Sequence, residues 1–321
     1  MKQGTLVISL DFELVWGIFD HVQLLDKKTY FNNTLSAIPK MVSMFEENDI
    51  AVTWATVGML FNESWEEWEA NVPSVLPTYA NKKLDAYSFG KQHQKSGFDS
   101  YFFAPHLIRM IQSTKKQEVA THTYSHYYCL EKGQTIDQFE ADINQASKIA
   151  QKFSVALKSL VFPRNQFNKE YLEVCSKNKI ETVRTNPNSW YWDTTKPETF
   201  LSKLNRTADA YFPLGKKSYS LSDIETQEIF CQPASRFLRP QHTSGILNGL
   251  RLNRIKNEMI QAAKNGEVYH LWWHPHNFGM HTEDSLKTLQ AIIDVFSFCR
   301  KEFGMKSETM KQLRDSSVYA S

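Results

Sequence analysis

Hydrophobic positions along the chain fall into two alternating kinds of run. Short β-rich runs, most of them continuous apolar stretches, recur at residues 5–10, 50–56, 117–121, 157–162, 181–185, 236–239 and 268–273. Runs of this length and continuity predict strands covered on both faces, as in a parallel sheet. Between them, apolar residues repeat at three and four positions. Leu35, Ile38, Met41, Val42 and Phe45 form one such set, Phe139, Ile143, Ala146 and Ile149 a second, and Leu286, Leu289, Ile292, Ile293 and Phe296 a third. This is the period of one buried helix face. Strands alternating with such helices predict βαβ units, and seven strands in one chain favour a closed or nearly closed α/β barrel over an open doubly wound sheet.

Two stretches do not fit short connections. Residues 60–103 carry Trp65, Trp68, Pro73 and Pro77, and residues 186–235 carry Trp190, Trp192, Pro187, Pro197 and Pro213. Long connections in compact domains usually form lids or binding walls. The expectation is therefore one catalytic domain over residues 1–321, with two aromatic-rich insertions at the barrel mouth. Neither a G-x-G-x-x-G fingerprint nor a G-x-x-x-x-G-K-[ST] loop is present, which argues against dinucleotide and P-loop chemistry.

Composition narrows the partners. Apolar residues make up 41% and charged residues 22% of the 321, as in an ordinary globular chain. The 37 basic and 35 acidic residues leave a formal charge of +2, with Lys and Arg scattered, which speaks against nucleic acid. Cys129, Cys175, Cys231 and Cys299 contain no C-x-x-C pair, so free thiols in a reducing compartment are expected. The first apolar run is interrupted at Ser9 and halted by Asp11 and Glu13, short of a signal-peptide core, and no window reaches a membrane span. A soluble, cytoplasmic protein is the expectation.

Candidate chemistry gathers at the predicted strand ends. In Asp11-Phe12-Glu13 the two carboxylates share a side of the strand, because side chains alternate. Alone, this triplet fits a pair of solvated loop carboxylates better than a site. His122 and His126 are four apart and would share a face if a helix begins there, a common way to offer two imidazoles to one ion. Arg164 could hold a carboxylate such as Asp11 bidentately, or lie on the surface. The last strand ends in His270, His274 and His276, all of one parity, beside Trp272 and Trp273.

The order of these clusters along nearly the whole chain resembles that of the polysaccharide deacetylases, the NodB-like group also called carbohydrate esterase family four. The resemblance implies a distorted (β/α)7 barrel with its site at the C-terminal ends of the strands. It implies Asp11 as catalytic base, Arg164 as its orienting partner and His274 as the acid. The family's Asp-Asp pair is broken here by Phe12, so Glu13 is expected to join His122 and His126 in holding a divalent metal, with zinc the best match. Two further departures are Pro163-Arg164-Asn165-Gln166-Phe167 for the family's Arg-x-Pro-Tyr, and Leu271-Trp272-Trp273-His274 for its Leu-x-His.

The implied reaction is metal-dependent removal of an acetyl group, N-acetyl first, from a sugar. His276, Trp190, Trp192 and Trp273 are candidates for contact with that sugar, with core packing the alternative for the tryptophans. A nucleotide-linked or lipid-linked sugar suits a cytoplasmic site better than a finished extracellular polymer. Two rival readings stand beside it. One is a metal-independent, allantoinase-like amidohydrolase acting on C–N bonds; the other is a catalytically degenerate barrel kept for carbohydrate binding.

Overall fold

The apolar runs become the staves of a parallel sheet. A computed structural model describes residues 3–187, 189–192, 199–212, 214–224 and 228–319. Its strands are β1 (Thr5–Phe12), β2 (Val52–Thr56), β3 (Gln117–Thr121), β4 (Ser159–Val161), β5 (Thr182–Thr185), β6 (Phe230–Pro233), β7 (Arg236–Phe237), β8 (Val268–Trp273) and β9 (Lys306–Glu308). They lie in the order β6-β5-β4-β3-β2-β1-β8-β7, with β9 on β1, and every pairing is parallel.

The two ends of this order are one piece of chain. Ala234 N–H still donates to Thr185 of β5 at 2.9 Å, and the next residue, Ser235, donates to His270 of β8 at 2.8 Å. The strand thus leaves one neighbour and joins the other without turning, which closes the sheet. Counted as one stave, β6 and β7 make seven, the distorted (β/α)7 barrel expected. The sequence pattern placed this strand at 236–239. It starts six residues earlier, inside the stretch read as an insertion, because its first half, Phe-Cys-Gln-Pro, carries too few apolar residues to register.

Helices cover the outside. Lys28–Glu47 buries Phe31, Ile38, Met41, Val42 and Phe45, Ile136–Gln151 starts with a Thr135/Gln138 capping box, and Thr282–Phe303 ends at Gly304 with φ +68°, a conformation that suits glycine. Residues 60–103 hold the helices Trp65–Ala70, Ala86–His93 and Asp99–Phe102. Their aromatics pack around Trp16, whose indole N–H donates to the Phe102 carbonyl at 2.8 Å and whose ring stacks on Trp68 at 6.4 Å. Trp16 lies in the turn Leu14–Gly17 that directly follows Glu13. This aromatic cluster therefore fixes the ground on which a site carboxylate stands.

Candidate active site

β1 delivers Asp11 from within the strand and Glu13 just beyond its end, while Phe12 packs the other way against Trp54. Glu13 Oε2 lies 3.2 Å from His122 Nε2 and 3.1 Å from His126 Nε2, and all three side chains are buried. Their ligand atoms all fall within 4.8 Å of one another. Donors about 2.0–2.1 Å from a tetrahedral ion stand about 3.3–3.4 Å apart, so the two measured edges need only tenths of an ångström of adjustment.

The protons support the same reading. His122 Nδ1 donates to the Val161 carbonyl at 2.8 Å, so Nε2 can present a lone pair to Glu13. A lone pair facing a carboxylate oxygen is repulsive unless a cation or a second proton lies between them. Burial lowers the pKa of His126, against the pull of Glu13. Burial alone would raise Glu13, but His274, His122 and His126 hold it well below the usual carboxylate range. Two imidazoles and one carboxylate thus fit a divalent ion.

His122 and His126 do not meet through a helix, as their spacing suggested. The segment is a loop in which Thr123 and His126 have φ of +64° and +57°. It is held by Asp142, which accepts Tyr124 N–H at 2.6 Å, Ser125 N–H at 3.1 Å and the Ser125 hydroxyl. Leu14, Arg164 and Asn165 also have positive φ, so left-handed non-glycine residues gather around the site. Each costs about 1–2 kcal/mol and persists where surrounding structure enforces it. Gly17 answers a different need: a Cβ there would lie 1.9 Å from Glu13 Oε1.

The partner of Asp11 is Arg184, not Arg164. From β5, the Arg184 guanidinium donates to both Asp11 oxygens at 2.6 and 2.8 Å, to Ser9 Oγ at 3.1 Å and to Asn165 Oδ1 at 3.3 Å. It lies 4.1 Å over the Trp272 ring. Burial alone would raise the pKa of Asp11; Arg184 first, then His122, brings it below the usual value. Arg164 instead pairs with Asp20 at 2.7 Å and Glu131 at 3.3 Å on the rim, where its side chain is 40% exposed. The turn Pro163–Asn165 reverses φ at Arg164 and Asn165, so it sends Asn165 inward and Arg164 outward.

His274 is the site's accessible histidine, 26% exposed against 2–6% for His122, His126 and His276. Its Nε2 is 3.6 Å from Asp11 Oδ2 and 3.7 Å from Glu13 Oε1. His276 stacks on it at 5.0 Å, with Nδ1 3.6 Å from Glu13, and burial pushes its pKa down to about 3. His270 sits deeper, bonded to Ser9 Oγ at 2.8 Å.

The tryptophans fall differently from expectation. Trp273 is fully buried between Phe45 and Phe278, so it is core and not a sugar platform. Trp192 packs beneath the Arg206 guanidinium at 5.1 Å, and the side chain of Trp190 lies outside the described residues. Trp272, which sequence reasoning passed over, contacts both Arg184 and His274. Beside His276 a cleft of about 480 Å³ opens, lined among others by Tyr30, Gln241 and His242.

The profile of the family described as polysaccharide deacetylase matches residues 29–183. A polysaccharide deacetylase-assigned protein of Mycobacterium smegmatis superposes with a TM-score of 0.60 at 12% identity, covering 100% of this chain and 92% of that one. One assigned likewise from Pseudomonas aeruginosa PAO1 gives 0.56 at 8%, covering 97% and 89%. The allantoinase PuuE gives 0.60 at 9%, covering 100% and 92%. At these identities the solved structures speak for the fold alone. No curated protein sequence matches. The profile match over residues 29–183 and the motif order make this chain similar to the polysaccharide deacetylase family, as a divergent relative. The matched stretch includes His122 and His126, stops one residue before Arg184, and leaves Asp11, Glu13 and His274 outside.

Proposed function

We propose that this protein is a metal-dependent hydrolase that removes the acetyl group from an N-acetylated sugar. The observation that carries the proposal is the convergence of an arginine-anchored Asp11, the Glu13–His122–His126 donor set and the accessible His274 on one space. Zinc suits two imidazoles and a carboxylate best, and when bound it would draw charge from the acetyl carbonyl and acidify a water.

The chain's own groups divide the proton work. Asp11, kept ionised by Arg184, takes a proton from the attacking water as its oxygen bonds to the acetyl carbon. His274, the site's accessible histidine, delivers a proton to the sugar nitrogen as the C–N bond breaks, so acetate and a free amine leave. General acid and base steps of this kind are each worth about 10²- to 10⁴-fold. Among the described residues no helix is long and apolar enough to cross a membrane, which agrees with action in the cytoplasm. The insertion at residues 60–103 and the connection that precedes Phe230 would wall the mouth.

The test is acetate release from a panel of N- and O-acetylated sugars, with and without chelator, alongside metal analysis. Chelator-sensitive release restored by zinc supports the proposal. Release that survives complete metal removal selects the metal-independent amidohydrolase, and sugar binding without release selects the degenerate barrel.

A further inference from the structure

Behind Phe237, whose ring lies 5.6 Å from that of His274, is a second, shallow recess with about 20 Å³ of space behind an open mouth. Arg239, Arg251, Gln241, Asn248 and Thr288 line it. Arg236 also reaches it but is neutralised by Glu258, through bonds of 2.6 and 2.7 Å. Arg239 and Arg251 have no such partner among the described carboxylates. Arg239 donates to the Arg206 carbonyl at 2.9 Å, and Arg251 to the Pro240 carbonyl at 3.1 Å and the Tyr211 hydroxyl. Burial and the charges of Arg251 and Arg236 lower the pKa of Arg239, and Tyr211 and Asp209 offset this only in part. Two guanidiniums with free donors and neutral amides around them are the chemistry of a phosphate site.

The recess neighbours the cleft beside His276, since Gln241 lines both. It also adjoins an apolar surface. The helix Phe200–Ala208, whose Arg206 carbonyl Arg239 grips, exposes Phe200, Leu201 and Leu204. Phe212 follows Tyr211, the partner of Arg251, and Ile246 and Leu250 stand one turn apart on Gly245–Asn265, just before Arg251; all three are exposed. Single exposed apolar residues are ordinary; here six stand on the segments that carry Arg251 or the groups to which Arg239 and Arg251 donate.

We propose that the Arg239–Arg251 recess binds the phosphate or diphosphate of a lipid-linked sugar, whose lipid chain lies on the surface formed by Phe200, Leu204, Phe212 and Ile246. The sugar would then pass Phe237 to reach His274. That last placement rests on the deacetylase reading; the anion site does not.

The full chain is titrated calorimetrically with inorganic pyrophosphate, farnesyl diphosphate and uridine diphosphate at fixed salt. Arg239→Gln and Arg251→Gln should each weaken pyrophosphate and farnesyl diphosphate about 10-fold or more, the loss of a charge-assisted contact. Farnesyl diphosphate should bind about 10-fold or more tighter than pyrophosphate, since burying even two methylenes is worth that much. The double variant Phe200→Ser/Leu204→Ser should remove only this advantage. Thermal melts confirm that each variant is folded. Pyrophosphate affinity unchanged by both arginine variants overturns the recess as an anion site. Uridine diphosphate binding as tightly as farnesyl diphosphate overturns the lipid assignment. Arginine-dependent binding together with no acetate release from a farnesyl-diphosphate-linked N-acetylhexosamine supports the recess and overturns the deacetylase reading.

Discussion

Replacing Arg184 by methionine removes both hydrogen bonds to Asp11, of 2.6 and 2.8 Å, and leaves an unbranched side chain against Trp272. The two side chains are 1% and 4% exposed, so water screens the pair little. Charge centres about 4 Å apart interact by about 4 kcal/mol at an effective dielectric constant of about 20. Breaking a buried pair by deleting one partner costs about 3–5 kcal/mol, because the other charge stays buried. The sign against pH follows from Asp11. In the native protein its folded pKa is depressed, so the pair stabilises above the unfolded carboxylate value and that contribution fades as pH falls through the folded pKa. Without Arg184, burial raises the folded value, and the variant loses stability as pH rises. The stability gap between native protein and Arg184→Met should therefore be small near pH 4 and widen toward about 3–5 kcal/mol at pH 8. Urea unfolding at both pH values measures it. The acidic limb of the kcat/KM profile should move to higher pH, because the base now needs more alkaline solution to ionise. Adding Asp11→Asn should recover much of the lost stability. Arg164→Met, which breaks rim pairs, should cost about 1 kcal/mol or less. A gap independent of pH, or equal damage from Arg164→Met, would refute the assignment.

Other substitutions test the rest of the site. Glu13→Gln should abolish stoichiometric zinc uptake, read by elemental analysis after dialysis. Gly17→Ala forces Glu13 to move, since the new Cβ would stand 1.9 Å from its Oε1; zinc affinity, measured by chelator competition, should drop about 10- to 100-fold, as for other disturbed ligand supports. His274→Ala should lower kcat for acetate release about 10²- to 10⁴-fold with zinc content unchanged. Asp142 is pushed up to about 6 by burial, so ionising it weighs against the folded state as pH rises from about 4 to 6. Relative to Asp142→Asn, the native protein should lose up to about 3 kcal/mol across that window, which paired denaturation curves at pH 4 and 7 can check.

The sequence pattern made legible what depends on local periodicity. Six of the seven expected strands lie where the sequence pattern put them, give or take a residue or two at each end, and the three apolar helix sets each fall within one helix. Asp11, Glu13, His122, His126 and His274 meet in space because each ends or follows a strand of the same parallel barrel, where all such ends share one rim. What local pattern cannot carry is the choice between two turns of similar composition. The loop through His122 and His126 has helical spacing but is held open by Asp142, some 16 residues farther along. The half of a strand at Phe230–Pro233 is too polar to announce itself, since the amide nitrogen of its Gln232 donates to partners distant in sequence, the Thr182 hydroxyl and the Met310 carbonyl.

Arg184 shows the same limit at the proposed base, and also the signal that was available. A cation must neutralise Asp11 once the barrel buries it, and the sequence offered Arg164 at the expected motif. Yet Thr182–Thr185 reads Thr-Val-Arg-Thr, with an arginine inside a strand flanked by other strands on both sides. A charge in such a place requires a buried partner, and Asp11 is the carboxylate its register allows. Arg184 pairs across the sheet with Val161, which leads into Pro163–Asn165 and whose carbonyl also orients His122. The guanidinium thus comes from the neighbouring stave, at nearly the same height in the barrel, while the motif position supplies Asn165 as its support. The role is set by the electrostatics of the pocket and not by the place in the chain, so a search that fixes the motif position will find Arg164 and miss the residue that holds the base.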